Sequence, residues 1–165
     1  MFNYKVKLVY NLKKPNGISE ISSVVKVIDK SIIFKDNYWS ISASHDGYLK
    51  RFGAIHRREI EYFDDIKKIK GSDKIIRNKK GKQLNFEIRF HLEPNSRVMK
   101  TQDNKNIYIE CENEGWKFIS EEYNINFETG LFFGLKNQFL ENQNIVISGI
   151  IQSENKEIKW EIQKI

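Results

Sequence analysis

Apolar and polar residues alternate over short runs through most of the chain. Tyr4, Val6, Leu8 and Tyr10 share one face, with Lys5, Lys7 and Val9 opposite. Phe86, Ile88, Phe90 and Leu92 alternate with Glu87, Arg89 and His91, and Ile158, Trp160 and Ile162 alternate with Lys159 and Glu161. Ile107 and Ile109 flank Tyr108. A period of two with one apolar face predicts half-buried strands. Residues 24–28, 32–35, 38–42, 55–63, 74–76, 117–120, 123–127, 131–135 and 145–151 read the same way. Turn-forming clusters separate these runs, among them Pro15-Asn16-Gly17, Asp46-Gly47, Lys70-Gly71-Ser72-Asp73, Lys80-Gly81, Glu93-Pro94-Asn95, Asn113-Glu114-Gly115, Thr129-Gly130 and Glu141-Asn142-Gln143-Asn144. Turns about ten residues apart predict an all-β fold: a two-layer antiparallel β-sandwich of about a dozen strands, one domain over residues 1–165. A helical turn is expected only within 60–70.

Composition agrees. Ala43 and Ala54 are the only alanines, while β-branched and aromatic residues abound, which argues against a helical protein. The longest apolar runs, such as 131–133 and 145–147, cannot span a bilayer, so no membrane partner is expected. The first residues lack an apolar signal-peptide core, which makes the cytoplasm the default compartment. Cys111 is the single cysteine, which excludes a disulfide framework or a thiolate metal cluster within the chain.

Charge is segregated. Residues 1–82 carry 19 Lys and Arg against 9 Asp and Glu, and residues 83–165 carry 9 against 13. A basic half can recruit a polyanion. The densest stretch includes Lys67, Lys68, Lys70, Lys74, Arg77, Lys79, Lys80 and Lys82, with Tyr62 and Phe63 as the nearest aromatics. Single-strand binders interleave stacking platforms with charge, so nucleic acid is a poor fit and a solvated surface the simpler account.

The catalytic inventory is thin. His45, His56 and His91 have no metal-ligand spacing, and no phosphate-binding glycine loop or nucleophile motif is present, so neither a metal nor a cofactor is expected. The densest polar cluster is 42–51, where Asp46-Gly47 turns the chain between His45 and Tyr48. A histidine and a tyrosine are a competent acid/base set for taking a proton next to a carboxylate. A turn needs the same residue types regardless of chemistry, so turn formation and packing are the simpler account of them. On the following strand, His56 and Arg58 share one face, and Arg57 and Glu59 the other.

Ser44-His45-Asp46-Gly47-Tyr48, then His56-Arg57-Arg58, then Arg89-Phe90-His91-Leu92-Glu93-Pro94, in this order, resemble the C-terminal β-sandwich region of the heparinase II/III-like polysaccharide lyases. The resemblance covers residues 38–160. It implies an α/α toroid, absent from this sequence, that bears the Asn, His and Tyr residues of eliminative cleavage, and a structural zinc bound by His and Asp. Neither the toroid motifs nor the metal-ligand segment has a counterpart here, so those roles do not carry over. His45, Tyr48, His56, Arg57, Arg58 and His91 fall on signature positions.

The resemblance therefore implies a stand-alone or split β-sandwich module, non-catalytic alone. Its expected partners are an acidic, uronate-containing polysaccharide, a separate toroid-bearing lyase chain, or a second copy. His45, Tyr48, Arg57, Arg58 and His91 are the candidate binding residues. Membership of an exported split lyase would place the chain in the periplasm. The alternative is an active or complemented lyase working by β-elimination. There Tyr48 or His45 would be base or acid, and Arg57 or Arg58 would neutralise the uronate carboxylate. A face built to be covered would leave an apolar patch that drives association, with the strand at 4–10 as its edge and loop 44–51 at its rim.

Overall fold

The period-two runs build two antiparallel sheets. The computed structural model describes residues 3–9, 25–77, 83–135, 138–152 and 155–165. Among these, twelve strands run in the order β1 (Asn3–Val9), β2 (Val27–Lys35), β3 (Tyr38–His45), β4 (Ala54–Phe63), β5 (Lys68–Arg77), β6 (Leu84–His91), β7 (Arg97–Lys100), β8 (Asn106–Cys111), β9 (Glu114–Ile119), β10 (Ile125–Leu135), β11 (Gln138–Ile151) and β12 (Asn155–Lys164). A one-turn helix, α1 (Leu49–Phe52), follows β3. One sheet has the order β1-β6-β11-β10, the other β2-β3-β4-β5-β12-β9-β8-β7. The all-β expectation holds.

The layers meet through the faces that the alternation marks as apolar. Leu84, Phe86, Ile88 and Phe90 of β6 and Ile145, Ile147 and Ile151 of β11 are buried against Ile107, Ile109, Phe118, Ile158, Trp160 and Ile162 of the larger sheet. Phe90 sits edge-on to both Phe118 and Trp160, with ring centroids 4.7 and 4.8 Å apart. Stacked sheets seal an apolar layer of this kind about 10 Å thick.

Four local expectations are corrected. The predicted turn at Lys70-Gly71-Ser72-Asp73 lies inside β5. Gly71 is there because its strand passes under Trp160: a Cβ would stand 2.0 Å from Trp160 Cζ2. The predicted turns at Thr129-Gly130 and 141–144 lie inside the long hairpin β10–β11. There Gly130 makes room for the buried Asn142 and Asn144, and Asn142 Nδ2 donates to the Leu92 carbonyl at 2.8 Å. The helical turn falls at 49–52, whereas 60–70 holds the end of β4, a turn and the start of β5. The runs at 24–28 and 32–35 join into β2 through an irregularity between Ile28 and Ser31, where Asp29 takes a φ of 49°. Val24, Tyr10, the turn at 15–17 and Lys79, Lys80 and Lys82 lie outside the described residues.

Charge segregation along the sequence becomes cross-strand pairing in space. Basic β5 lies beside β12, whose two glutamates take its lysines: Lys68 pairs with Glu161 at 2.6 Å and Lys74 with Glu157 at 3.4 Å. Opposite charges on facing strand positions stabilise a sheet.

Candidate functional site

Four of the signature residues, His45, Tyr48, His56 and Arg58, converge where the smaller sheet stops covering the larger one. Register places His45 opposite His56, and Arg58 opposite Asp73. Residues directly opposite in an antiparallel pair share a face, so all four point to the inner side. Asp73, fully buried, is the hub. Arg58 grips both its oxygens, Nε to Oδ1 at 2.7 Å and Nη2 to Oδ2 at 2.9 Å. Trp160 Nε1 donates to Oδ2 at 2.8 Å, and His56 Nε2 lies 2.7 Å from Oδ1. The Arg58 guanidinium also lies 5.8 Å from both the Phe90 and Trp160 ring centroids, within cation–π range.

Hydrogen-bond logic assigns the ring protons. The Gly47 backbone N–H donates to His45 Nδ1 at 3.2 Å, so the His45 proton sits on Nε2. His45 Nε2 is 3.1 Å from His56 Nδ1, which must then accept, leaving the His56 proton on Nε2 to face Asp73. The result is one directed chain from the Gly47 amide through two imidazoles to a buried carboxylate. Burial, the neighbouring His56 and the more distant Arg58 outweigh Asp46 and hold His45 below the ordinary histidine range. Burial pushes the Asp73 carboxyl up, but the bond from His56 and the charge and bonds of Arg58 prevail and hold it below the ordinary carboxylate range.

The other candidates are distributed. Tyr48 precedes α1 and packs between His45 and Phe52, its ring centroid 5.1 Å from that of His45. Arg57 points to the opposite face of the sheet, where Nη2 donates to Ser42 Oγ at 2.9 Å. His91 is on the other sheet; its neighbour Phe90 faces the core, so His91 faces away. The structure thus brings His45, Tyr48, His56 and Arg58 together and separates Arg57 and His91 from them. Sequence reasoning missed Asp73 and Trp160. The acid was hidden inside an apparent turn, and the indole inside a run that reads as plain core. The available signal was a lone Asp on the inward phase of β5.

These residues do not fit the zinc that the family resemblance implies. Asp73 takes four hydrogen bonds, and the two imidazoles face one another and the carboxylate at hydrogen-bond distance. No group of three or more His, Cys, Asp or Glu among the described residues is placed to hold a metal ion.

A two-layer antiparallel sandwich carrying an Asp-centred His–Arg–Trp cluster defines the class of protein. The heparinase II/III-like C-terminal family model matches residues 19–161, and the chain belongs to that family. Heparan sulfate lyase HepC from Pedobacter heparinus shares the fold with a TM-score of 0.72 and 12% identity, over 84% of this chain and 22% of that one. The heparinase III BT4657 gene product gives 0.67 and 13%, over 85% and 22%. No curated protein matches the sequence. The chain corresponds to about a fifth of each of these two lyases.

Proposed function

We propose that this chain is the β-module of a heparinase II/III-type lyase system: non-catalytic alone, and acting on acidic, uronate-containing polysaccharide together with a toroid-bearing lyase chain. The observation that carries this reading is the state of Arg58. β-Elimination needs a cation to neutralise the uronate carboxylate while a base removes the adjacent proton. Arg58, the arginine on the same face of the sheet as His45, spends its fork on Asp73. Arg57 lies on the other face. The signature therefore builds the sandwich rather than a substrate clamp.

One observation favours the alternative of an active or complemented lyase: His45 and Tyr48 are in ring contact across the Asp46-Gly47 turn, with His45 held below the ordinary histidine range by burial. The test is an ultraviolet assay for unsaturated uronate with purified chain and heparan sulfate. No absorbance gain from the chain alone, and a gain when a toroid-bearing lyase chain of the same organism is added, is the expected result. Cleavage by the chain alone, lost in Tyr48→Phe and His45→Ala, would overturn it in favour of the alternative.

A further inference from the structure

The outer face of the larger sheet carries a line of side chains that crosses every strand. Register sets Lys35 opposite Tyr38, Tyr38 opposite Phe63, and Phe63 opposite Lys68. The line continues from Lys68 through Gln163, Lys117 and Tyr108 to Met99. Ile162, Phe118 and Ile109, one residue along from Gln163, Lys117 and Tyr108, belong to the core, so the row faces away from the second layer. Every charged member of the row is a lysine. Each of its three rings has an ammonium near its face: Lys35 at 6.0 Å from the Tyr38 centroid, Lys117 at 5.9 Å from Tyr108, and Lys70 of the adjoining row at 5.5 Å from Phe63. Among the described residues these three lysines join no ion pair, whereas Lys68 is neutralised by Glu161. Hollows follow the line. One of about 610 Å³ opens over Ile33, Lys35, Tyr38 and Phe63. Beside the row, one of about 340 Å³ over Glu61 and Lys70 and one of about 380 Å³ over Ile119 share Lys159 and Glu161.

We propose that this row and the hollows along it bind a linear anionic glycan, a chain of pyranoses bearing uronate or sulfate groups, laid across the strands. The proposal rests on the reading that the module serves acidic polysaccharide, and it gives the module a binding surface on the sheet face opposite the signature cluster. Rings set along a line suit the C–H faces of successive sugars, and lysines between them supply the counter-charge. Neighbouring strands lie about 4.8 Å apart, close to the length one pyranose adds to a linked chain, so each strand can meet one sugar. The unpaired ammonium groups stand on β2, β5 and β9, spread over about 24 Å, which is the reach of an oligosaccharide rather than a single sugar. Glu61, which accepts from the Tyr38 hydroxyl at 2.8 Å, and Glu161 border the row. Their remaining lone pairs can accept from sugar hydroxyls, whereas a phosphodiester backbone offers them only negative oxygens. Each contact is exposed and weak, so affinity grows with the number of sugars engaged and falls with salt.

Isothermal titration calorimetry with heparan sulfate oligosaccharides, from disaccharide to octasaccharide, is the test. The expected result is binding that tightens with length and weakens as salt is raised. Lys35→Glu and Lys117→Glu should each weaken octasaccharide binding at least ~5-fold, and Tyr108→Ala at least ~3-fold, with thermal midpoints unchanged. Lys50→Glu makes the same charge change on α1, beyond the far end of β3, and should leave binding within ~2-fold. Octasaccharide that does not bind at low salt, or binding that Lys35→Glu and Lys117→Glu leave intact, would overturn the proposal. Equal binding of single-stranded DNA of matching charge would overturn it too, in favour of a general polyanion surface. Binding is read without cleavage. A chain that binds through this row but never supports lyase activity keeps the surface and overturns the lyase-partner reading; a chain that supports cleavage without binding here overturns the surface alone.

Discussion

β3–β4 and β5–β12 are adjacent strand pairs of one sheet, with the same alternation, yet their inner faces have opposite fates. On β12, Ile158, Trp160 and Ile162 are sealed by the second layer, whereas on β3, Ile41 at the equivalent phase is exposed. Alternation says which side of a strand is apolar; whether that side is buried depends on how far the facing sheet reaches. At the seam, where a purely apolar packing gives way, the chain places a charged network centred on Asp73. Network and seam are linked: the acid is dry because Trp160 and Arg58 close over it, and Arg58 is held flat because Phe90 and Trp160 flank it.

The largest expected effect is at that hub. Asp73→Ala should lower the unfolding free energy by about 3–5 kcal/mol in urea denaturation, because it strands the Arg58 charge and the Trp160 N–H in a dry site. Gly71→Ala, two residues before Asp73 on β5, forces a methyl into the Trp160 ring and should cost about 1–3 kcal/mol by the same assay. Trp160→Phe keeps the ring stack on Phe118 but removes the donor to Asp73, for about 1–3 kcal/mol. By contrast, Phe34→Ser, at a 72% exposed position of β2, should change stability by no more than about 0.5 kcal/mol. A large loss there would mean that the β2–β3 end of the inner face is already covered, and the contrast between the two regions would collapse.

The dependence on pH sharpens the same contrast. His45 in the fold titrates below its unfolded-chain value, so between the two values the unfolded chain binds the extra proton and the fold does not. Stability therefore holds above pH about 6.5 and declines as pH falls below it. Asp73, also held low, adds a second loss below pH about 4. Thermal midpoints measured from pH 8 to pH 3 should show both steps, and His45→Gln should remove only the first.

Most of the strands were legible because period-two patterning and turn chemistry agree over β1, β4, β6, β8 and β12. The misread turns have one physical cause. Gly71, Gly130 and the asparagines near 142 are turn formers by local preference, but here they serve close packing and buried amide bonding across the sheet, which no local window displays. The site was half legible for a related reason. His45, Tyr48, His56 and Arg58 stand out as chemistry-bearing residues in an ordered signature, but their partner Asp73 lies fifteen residues beyond Arg58, and the Trp160 donor comes from the last strand. Only register joins them. The same register separates Arg57 from Arg58, which sequence alone treats as equivalent.

The central claim is that the signature cluster is an internal hydrogen-bond chain rather than a substrate-facing acid/base pair. Long-range nitrogen–proton NMR of the His45 and His56 rings at neutral pH tests it most directly. The account requires both rings to be neutral with the proton on Nε2, and both spectra to be unchanged when a heparan sulfate oligosaccharide is added. A proton on Nδ1 of His56, or ring signals of His45 that move with the oligosaccharide, would contradict it.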